Sequence, residues 1–164
     1  MSTKEILEKV KSYNCKLVEV TGGEPLLQKE SIDLMEKLIK KNYIVMLETG
    51  GSLPISKVPN EVIKIIDFKC PSSKMMKKNL WENISYIKDT DEIKFVIADK
   101  RDYNWAKEKI KKYNLTKKSK VLMSPAYKEI APKKIVEWIL KDNLDVRFQI
   151  QLHKEIWEPD KKGV

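Results

Sequence analysis

The sequence has few cysteines and lacks any long apolar run. Its 164 residues contain two cysteines, Cys15 and Cys70, which are too few for a disulfide framework. We therefore expect reduced thiols and a cytoplasmic protein. No run of about eighteen apolar residues occurs, the length that a membrane-spanning helix needs. Residues 1–5 are typical of a helix start rather than of a secretion signal, so the sequence predicts neither a membrane span nor a signal segment.

Arginine is scarce as well, although the formal net charge is +9. Arg101 and Arg147 are the two arginines among 33 basic residues, and 24 acidic residues accompany them. Recognition of nucleic acids depends heavily on the flat, bidentate fork of arginine. The lysines lie mostly among acids on the polar faces of predicted helices. We therefore expect solvated helix surfaces, with a nucleic-acid-binding surface as the weaker alternative.

The apolar spacing changes repeatedly between the period of a helix and that of a strand. Helices are predicted over 3–14, 31–41, 102–114 and 132–141, and strands over 17–21, 43–48, 62–68, 92–97, 119–123 and 146–152. Ser2 and Glu5 have the spacing of a capping box, and residues 72–90 are predicted to be irregular, with one helical turn near Leu80. Alternating strands and helices are typical of a parallel α/β sheet. Because a helix comes first, we expect a single domain over 1–164 that lacks its first strand and is truncated at the N-terminus.

One face of this predicted sheet is apolar, and the other carries a polar side chain in nearly every strand. Side chains alternate along a strand, which places Glu19, Glu48, Asp67, Lys94 and Arg147 on polar faces. A sheet covered by helices on both sides would be apolar on both. A barrel can line its interior with polar groups and has its site at the C-terminal strand ends. The pattern favours a partial (β/α) barrel of about six mostly parallel strands with helices outside. The alternative is an open sheet with one solvent-exposed face.

The first predicted strand ends in the most informative segment, residues 21–25, Thr-Gly-Gly-Glu-Pro. Two glycines allow bare backbone to approach a ligand closely, and the proline fixes the direction in which the chain leaves the sheet. This segment resembles the motif with which radical S-adenosylmethionine (SAM) enzymes hold the amino-acid end of SAM. Other predicted strands also end in polar or turn-forming residues, at 48–50, 67–69 and 124–125.

Taken together, the motifs resemble those of the 7-carboxy-7-deazaguanine synthases, radical SAM enzymes of queuosine and deazapurine biosynthesis. The segments that carry the resemblance are 20–27, 48–51, 69–75, 91–97, 124–125 and 149–154. The resemblance implies a partial (β/α) barrel of the radical SAM type. It also implies a lyase that contracts 6-carboxy-tetrahydropterin to 7-carboxy-7-deazaguanine and releases ammonia, using SAM, a [4Fe–4S] cluster and magnesium.

The resemblance implies two groups of site residues. The residues expected to bind SAM are Gly22, Gly23, Glu24, Glu48, Thr49, Asp67, Phe68, Lys69, Ser124 and Pro125. The residues expected to face the substrate are Thr21, Gln151, His153 and the terminal carboxylate of Val164. Several of these assignments have structural alternatives. Gly22 and Gly23 could form only a tight turn, and Lys69 could simply form an ion pair with Asp67. His153 could be a surface histidine, and the terminal Val164 could be frayed.

The cysteine loop C-x3-C-x2-C of the family and its magnesium ligand have no counterpart in this sequence. Cys15 and Cys70 are too few and too far apart in sequence to hold a cluster, so we expect neither cluster nor magnesium in this chain and no turnover by the chain alone. We also expect an open sheet edge at strand 17–21 that pairs in a homodimer. Two alternatives remain: a non-catalytic module that binds SAM or a nucleotide, and a glycyl-radical-activating enzyme, which shares the Gly-Gly-Glu-Pro turn but acts on a protein.

Overall fold

The computed structural model describes residues 1–158 and 161, and its centre is one parallel sheet of six strands. The strands are β1 (Leu17–Val20), β2 (Ile44–Thr49), β3 (Ile63–Asp67), β4 (Glu92–Ile97), β5 (Lys120–Pro125) and β6 (Arg147–Phe148), and the helices are α1 (Thr3–Ser12), α2 (Ser31–Lys40), α3 (Lys100–Tyr113), α4 (Pro132–Lys141) and α5 (His153–Ile156). Short 3-10 turns lie at Pro25–Leu27, Pro71–Ser73, Met76–Lys78, Trp81–Tyr86 and Leu115–Lys117.

The strands lie side by side in chain order, from β1 at one edge to β6 at the other. All five neighbouring pairs are parallel, and the sheet does not close on itself. This arrangement confirms the predicted partial barrel of six parallel strands with helices around it. Within residues 1–158, no helix combines the length and the apolar character needed to cross a membrane.

Two of the helices, α1 and α3, begin at residues whose side chains bind the free backbone N–H groups of the first turn. Ser2 and Glu5 form the predicted capping box, because Ser2 Oγ accepts from the Glu5 N–H and Glu5 Oε2 accepts from the Ser2 N–H at 2.6 Å. Asp99 accepts from the Asp102 N–H at 2.8 Å, which begins α3 two residues before its predicted start. Pro132 occupies the first turn of α4, where its missing N–H costs nothing.

The hydrophobic core lies on one face of the sheet, beneath the helices. Leu47, Ile66, Ile93 and Phe95 are fully buried there, together with Met35 of α2. Each such side chain contributes about 1.5–3 kcal/mol by leaving water. On the opposite face, the apolar side chains nearest the N-terminal strand ends stay exposed, as Leu17 and Ile44 do. The predicted contrast between an apolar and a polar face is therefore present.

One charged pair breaks the apolar pattern beneath the sheet. Lys64 of β3 lies on the core side, and its Nζ is 3.0 Å from Asp91 Oδ2, with 3% and 0% of the two side chains exposed. Asp91 also accepts from the backbone N–H groups of Lys64 and Lys88, both at 2.9 Å. A buried ion pair of this kind is tolerated because the remaining carboxylate positions are also hydrogen-bonded.

The last predicted strand, 146–152, is wrong in its length. β6 spans only Arg147–Phe148, and one further bond runs from the Gln149 N–H to the Met123 carbonyl at 3.0 Å. The neighbouring β5 ends at Pro125, which has no N–H to offer a ladder. The chain therefore turns away, and His153 begins α5 instead of ending a strand. The segment 72–90 also differs from its prediction, because it contains 3-10 turns where one turn was expected.

Candidate functional site at the strand ends

The predicted SAM-binding residues lie where the C-terminal ends of the strands meet, because parallel strands end on the same side. We call this border the strand-end edge, to distinguish it from the lateral edges at β1 and β6. Thr49 and Asp67 are the last residues of β2 and β3, and Ser124 and Pro125 close β5. Residues 21–24 follow β1 directly. Strand register then sets their spacing, with Thr49 opposite Ile66 and Ser124 opposite Val96.

Gly22 and Gly23 present bare backbone to open space. Their φ angles are +98° and +53°, a region that favours glycine, and a β-carbon built on either residue meets nothing within 4 Å. Glycine is therefore required here for the backbone conformation and not for lack of room. Thr21, just before them, is exposed. The result is an accessible run of backbone at the end of β1.

Glu24 turns inward and joins two strand ends. Its carboxylate accepts from the Thr49 hydroxyl at 2.8 Å, from the Gly50 N–H at 2.9 Å and from the Leu26 N–H at 3.2 Å. These donors occupy both carboxylate oxygens. The backbone of the two glycines, rather than the Glu24 side chain, is thus the part of this segment that is most open to a ligand.

Asp67 and Lys69 form the ion pair named as the structural alternative, with Lys69 Nζ 2.6 Å from Asp67 Oδ2. Burial raises the pKa of the Asp67 carboxyl, while Lys69 and, more weakly, Lys94 act to lower it. The other carboxylate oxygen, Oδ1, is buried and has no hydrogen-bond partner among the described residues. The pair is therefore present, but it satisfies only one side of Asp67.

Two more predicted site residues carry a buried oxygen without a partner in the described part of the chain: Ser124 at Oγ and Gln151 at Oε1. Leaving a buried polar atom unpaired costs about 1–3 kcal/mol, and each such atom calls for an explanation such as an absent ion, water or ligand. Asp67, Ser124 and Gln151 therefore fit the donors of a bound polar molecule. Phe68 does not belong to this set, because its ring is fully buried on the helix side and stacks on Trp81 at 4.7 Å.

The polar face of the sheet forms a groove of about 210 Å³ next to this edge. Glu48 pairs there with Lys94 at 2.7 Å, and Glu92 pairs with Arg147 at 2.6 Å. Burial, together with the charge of Glu48, raises the pKa of the neighbouring Glu19. Charged groups of both signs thus line the floor of the groove.

The chain after β6 covers one side of the same groove. Gln151 and His153 line it opposite Glu48 and Lys94. His153 itself is exposed, so it is a surface histidine that also borders the groove. The structure therefore brings two of the predicted substrate residues to Glu48, while Val164, the last of them, lies outside the described residues.

The described residues do not fit an iron–sulfur cluster or a magnesium ion. Among them, no three His, Cys, Asp or Glu side chains come together as a metal site. Cys15 is exposed and precedes β1, at the N-terminal ends of the strands, whereas Cys70 is buried and follows the C-terminal end of β3. Burial raises the pKa of the Cys70 thiol far above its ordinary value, which keeps it from becoming the thiolate that a metal requires.

One residue at this edge was missed by the sequence analysis. Asn79 lies in the segment predicted to be irregular, yet both ends of its side-chain amide bind the backbone of Lys69, at 2.8 and 2.9 Å. Such a contact leaves no periodic signal in the sequence. No feature of the segment other than the asparagine itself could have indicated it.

The fold is that of radical SAM enzymes. QueE from Escherichia coli superposes with a TM-score of 0.69 at 18% identity, over 92% of this chain and 64% of that one. SuiB from Streptococcus suis, in a crystal structure with S-adenosylmethionine, superposes with a TM-score of 0.65 at 13% identity, over 92% of this chain and 42% of that one. At these identities the likeness establishes the fold alone.

Sequence comparison identifies the family. No family model matches the chain, but curated relatives do. The 7-carboxy-7-deazaguanine synthase of Chlorobaculum tepidum is 41% identical over 167 residues, covering 100% of this chain and 76% of the relative. That of Koribacter versatilis is 43% identical over 162 residues, covering 90% and 72%. The chain belongs to the 7-carboxy-7-deazaguanine synthase family, which confirms the resemblance seen in its motifs.

Proposed function

We propose that this chain forms the SAM-facing and pterin-facing part of a 7-carboxy-7-deazaguanine synthase. The observation that carries the proposal is the set of buried oxygen atoms at Asp67, Ser124 and Gln151 that have no partner in the described chain. The open backbone of residues 22–23, which follows the C-terminal end of β1, accompanies it. A site that leaves acceptors unpaired is suited to a ligand that donates hydrogen bonds. The family's reaction, a contraction of 6-carboxy-tetrahydropterin with loss of ammonia, requires such a site.

The strand-end edge is the proposed binding place for the methionyl end of SAM. That group carries one ammonium and one carboxylate. Lys69 offers a cation with 36% of its side chain exposed, and Asp67 offers an oxygen that has no partner in the described chain. The backbone of Gly22 and Gly23 lets the ligand approach the sheet closely. Glu24 and Thr49 support this edge by holding β1 to β2.

The groove on the polar face is the proposed place of the pterin. A pterin ring has donors and acceptors along one edge, and the carboxylate of the substrate adds a negative charge. The Glu48 carboxylate can accept from such an edge, and the Gln151 amide can both accept and donate. His153 and Lys94 offer further donors at the same groove. We assign Thr21 to the junction of the two ligands, because it precedes the glycines on the open side.

We propose no reaction step that passes through a cluster or a magnesium ion, since the described residues fit neither. Turnover is accordingly not expected from this chain alone. The same misfit favours one alternative function, a module that binds SAM or a nucleotide without catalysis. We also propose a cytoplasmic location, which the two free thiols support.

A homodimer through the β1 edge is a further part of the proposal. β1 pairs with β2 on one side, and in the described chain no strand covers its other side; an open edge of this kind favours pairing with another chain. Leu17 and Ile44, which are register partners near that edge, are 52% and 56% exposed. Sedimentation across a concentration series should reveal a dimer that Leu17→Lys weakens. A monomer at every concentration contradicts this part.

Calorimetry with two ligands separates the synthase from the binding module. We expect the purified chain to bind SAM and, independently, a carboxypterin. His153→Ala should weaken carboxypterin binding and leave SAM binding unchanged, and Gly23→Val should weaken SAM binding. Lys117→Ala, just before β5 at the N-terminal ends of the strands, serves as the control for both ligands. Binding of SAM without any carboxypterin binding would favour the module, and binding of neither ligand overturns the proposed function.

A further inference from the structure

The side-chain amide of Asn79 forms hydrogen bonds with both the backbone N–H and the backbone carbonyl of Lys69. Asn79 Oδ1 accepts from the Lys69 N–H at 2.8 Å, and Asn79 Nδ2 donates to the Lys69 carbonyl at 2.9 Å. The last bond from β3 toward β4 is made one residue earlier, by the Phe68 N–H to the Lys94 carbonyl at 3.0 Å. Asn79 therefore bonds to the backbone beyond the last strand-to-strand bond, and it fixes the chain at Lys69, two residues past the end of β3.

The Lys69 side chain passes close to Gly50 and Glu24. A β-carbon on Gly50 would lie 3.6 Å from Lys69 Cε and 3.4 Å from Glu24 Oε2. Beyond that point, Lys69 Nζ reaches Asp67 Oδ2 at 2.6 Å. A small rotation of the Lys69 backbone would move the ammonium group away from Asp67 or push the stem against Gly50.

Asn79 is itself anchored to rigid parts of the fold. The next residue, Leu80, donates its N–H to the Gly51 carbonyl at 2.9 Å, and the ring of Trp81 stacks on Phe68 at 4.7 Å. Asn83, four residues on, accepts from the Ile55 N–H at 3.1 Å and donates to the Leu53 carbonyl at 2.9 Å. Asn79 is 9% exposed, so its amide has little freedom to choose other partners.

We propose that Asn79 is a positioning residue, which orients Lys69 so that its ammonium group is held at Asp67 on the ligand-facing edge. The bonds from Asn79 to Lys69 and from Lys69 to Asp67 are observed in the structure. The expected effect of Asn79 on SAM affinity rests on the proposed function. Asn83 holds the neighbouring loop in a similar way. No hydrogen bond joins it to Lys69 among the described residues, which makes it the matched control.

The test measures the pKa of the Asp67 carboxyl by a pH titration of the full chain, monitored by carbon NMR. The charged groups that act on Asp67 are Lys69, Lys94 and Glu48. Lys69→Met removes the ammonium and keeps the stem, so it should raise the Asp67 pKa above that of the wild type. Asn79→Ala should raise the pKa in the same direction, because it releases Lys69. Asn83→Ala should lower the stability of the fold and leave the Asp67 pKa unchanged.

The outcome that overturns the inference is an Asp67 pKa that rises in Lys69→Met and stays at the wild-type value in Asn79→Ala. If Asn79→Ala does not fold, hydrogen exchange in the wild type decides: slow exchange of the Lys69 amide supports the inference, and fast exchange contradicts it. SAM affinity is measured on the same variants. We expect a several-fold weaker affinity in Asn79→Ala than in Asn83→Ala, and equal affinities contradict the ligand part. A wild type that binds no SAM would refute the proposed function, while the titration would still decide the role of Asn79.

Discussion

The hydroxyl of Thr49 lies 2.8 Å from the Glu24 carboxylate, to which it donates a hydrogen bond. The two residues are far apart in the chain, at the ends of β1 and β2. Glu24 belongs to a segment whose sequence indicates ligand binding, and its carboxylate accepts hydrogen bonds from other parts of the protein. Its role is to hold the segment in place, so that the glycines before it keep their open conformation.

The hydrogen bond between Glu24 and Thr49 should contribute measurably to the free energy of unfolding. Thr49→Val keeps the shape of the side chain but removes the hydroxyl, which also accepts from the Gly51 N–H at 3.2 Å. A hydrogen bond to a charged group contributes about 1.5–3 kcal/mol, so we expect the free energy of unfolding to fall by about 2 kcal/mol in urea titrations. Thr90→Val is the control, because Thr90 is exposed and its side chain makes no hydrogen bond within the described part of the chain. A loss no larger than that of the control would contradict the role of Thr49.

The glycines at the two strand ends should respond differently to alanine. At Gly23 the added β-carbon meets open space, so only the backbone angle is penalised, by about 1–2 kcal/mol. At Gly51 the φ angle is +66° and the β-carbon would lie 2.9 Å from Ile66 Cγ2, which adds the cost of overpacking, about 1–3 kcal/mol. Thermal or urea unfolding should therefore rank Gly51→Ala below Gly23→Ala in stability. The reverse order would mean that the space around these residues differs from that described.

The buried pair beneath the sheet should matter far more than an exposed one. Asp91→Asn leaves the Lys64 ammonium buried without its counter-charge, and breaking such a pair costs about 3–5 kcal/mol. Asp33→Asn removes a pair with Lys37 that is 2.7 Å long but about half exposed, and we expect a loss below about 1 kcal/mol. Urea unfolding of the two variants checks the contrast. Equal losses would show that Lys64 finds solvent or another partner.

Asp67 should make stability depend on pH in a defined direction. Burial raises its pKa above the ordinary value of 3.8, so the folded state binds this proton more tightly than the unfolded state does. The favourable contribution of the protonated group is complete below pH 3.8 and is lost as pH rises through the raised value. Asp67→Asn cannot titrate. The unfolding free energy of the wild type minus that of Asp67→Asn should therefore fall from acid toward neutral pH, and a difference that rises with pH contradicts the assignment.

Much of the fold could be predicted from the sequence because its strands have one covered face. The alternation at 92–97 and the apolar period at 132–141 predict β4 and α4 at the bounds that the structure has. β6 could not be predicted in this way, because its length depends on Pro125 of the neighbouring strand and not on its own alternation.

The site could be predicted only in outline. Glycine and polar residues at strand ends indicate where a ligand binds, since chain direction brings those ends together. The partners of Glu24 and Lys69 depend on strand register and on the path of an irregular segment, and neither has a periodic signature. Sequence motifs alone therefore did not indicate that Glu24 bonds to Thr49, and they left Asn79 unnoticed.

The most direct test of the account is the effect of SAM on the glycine amides. The chain has five glycines, and four of them, at 22, 23, 50 and 51, follow β1 and β2. Selective labelling with ¹⁵N-glycine gives a simple spectrum in which each signal can be assigned by substitution. We predict that added SAM shifts the amide signals of Gly22, Gly23 and Gly50. If saturating SAM leaves the signals of Gly22 and Gly23 unmoved, the strand-end edge is not the SAM site and the central claim is wrong.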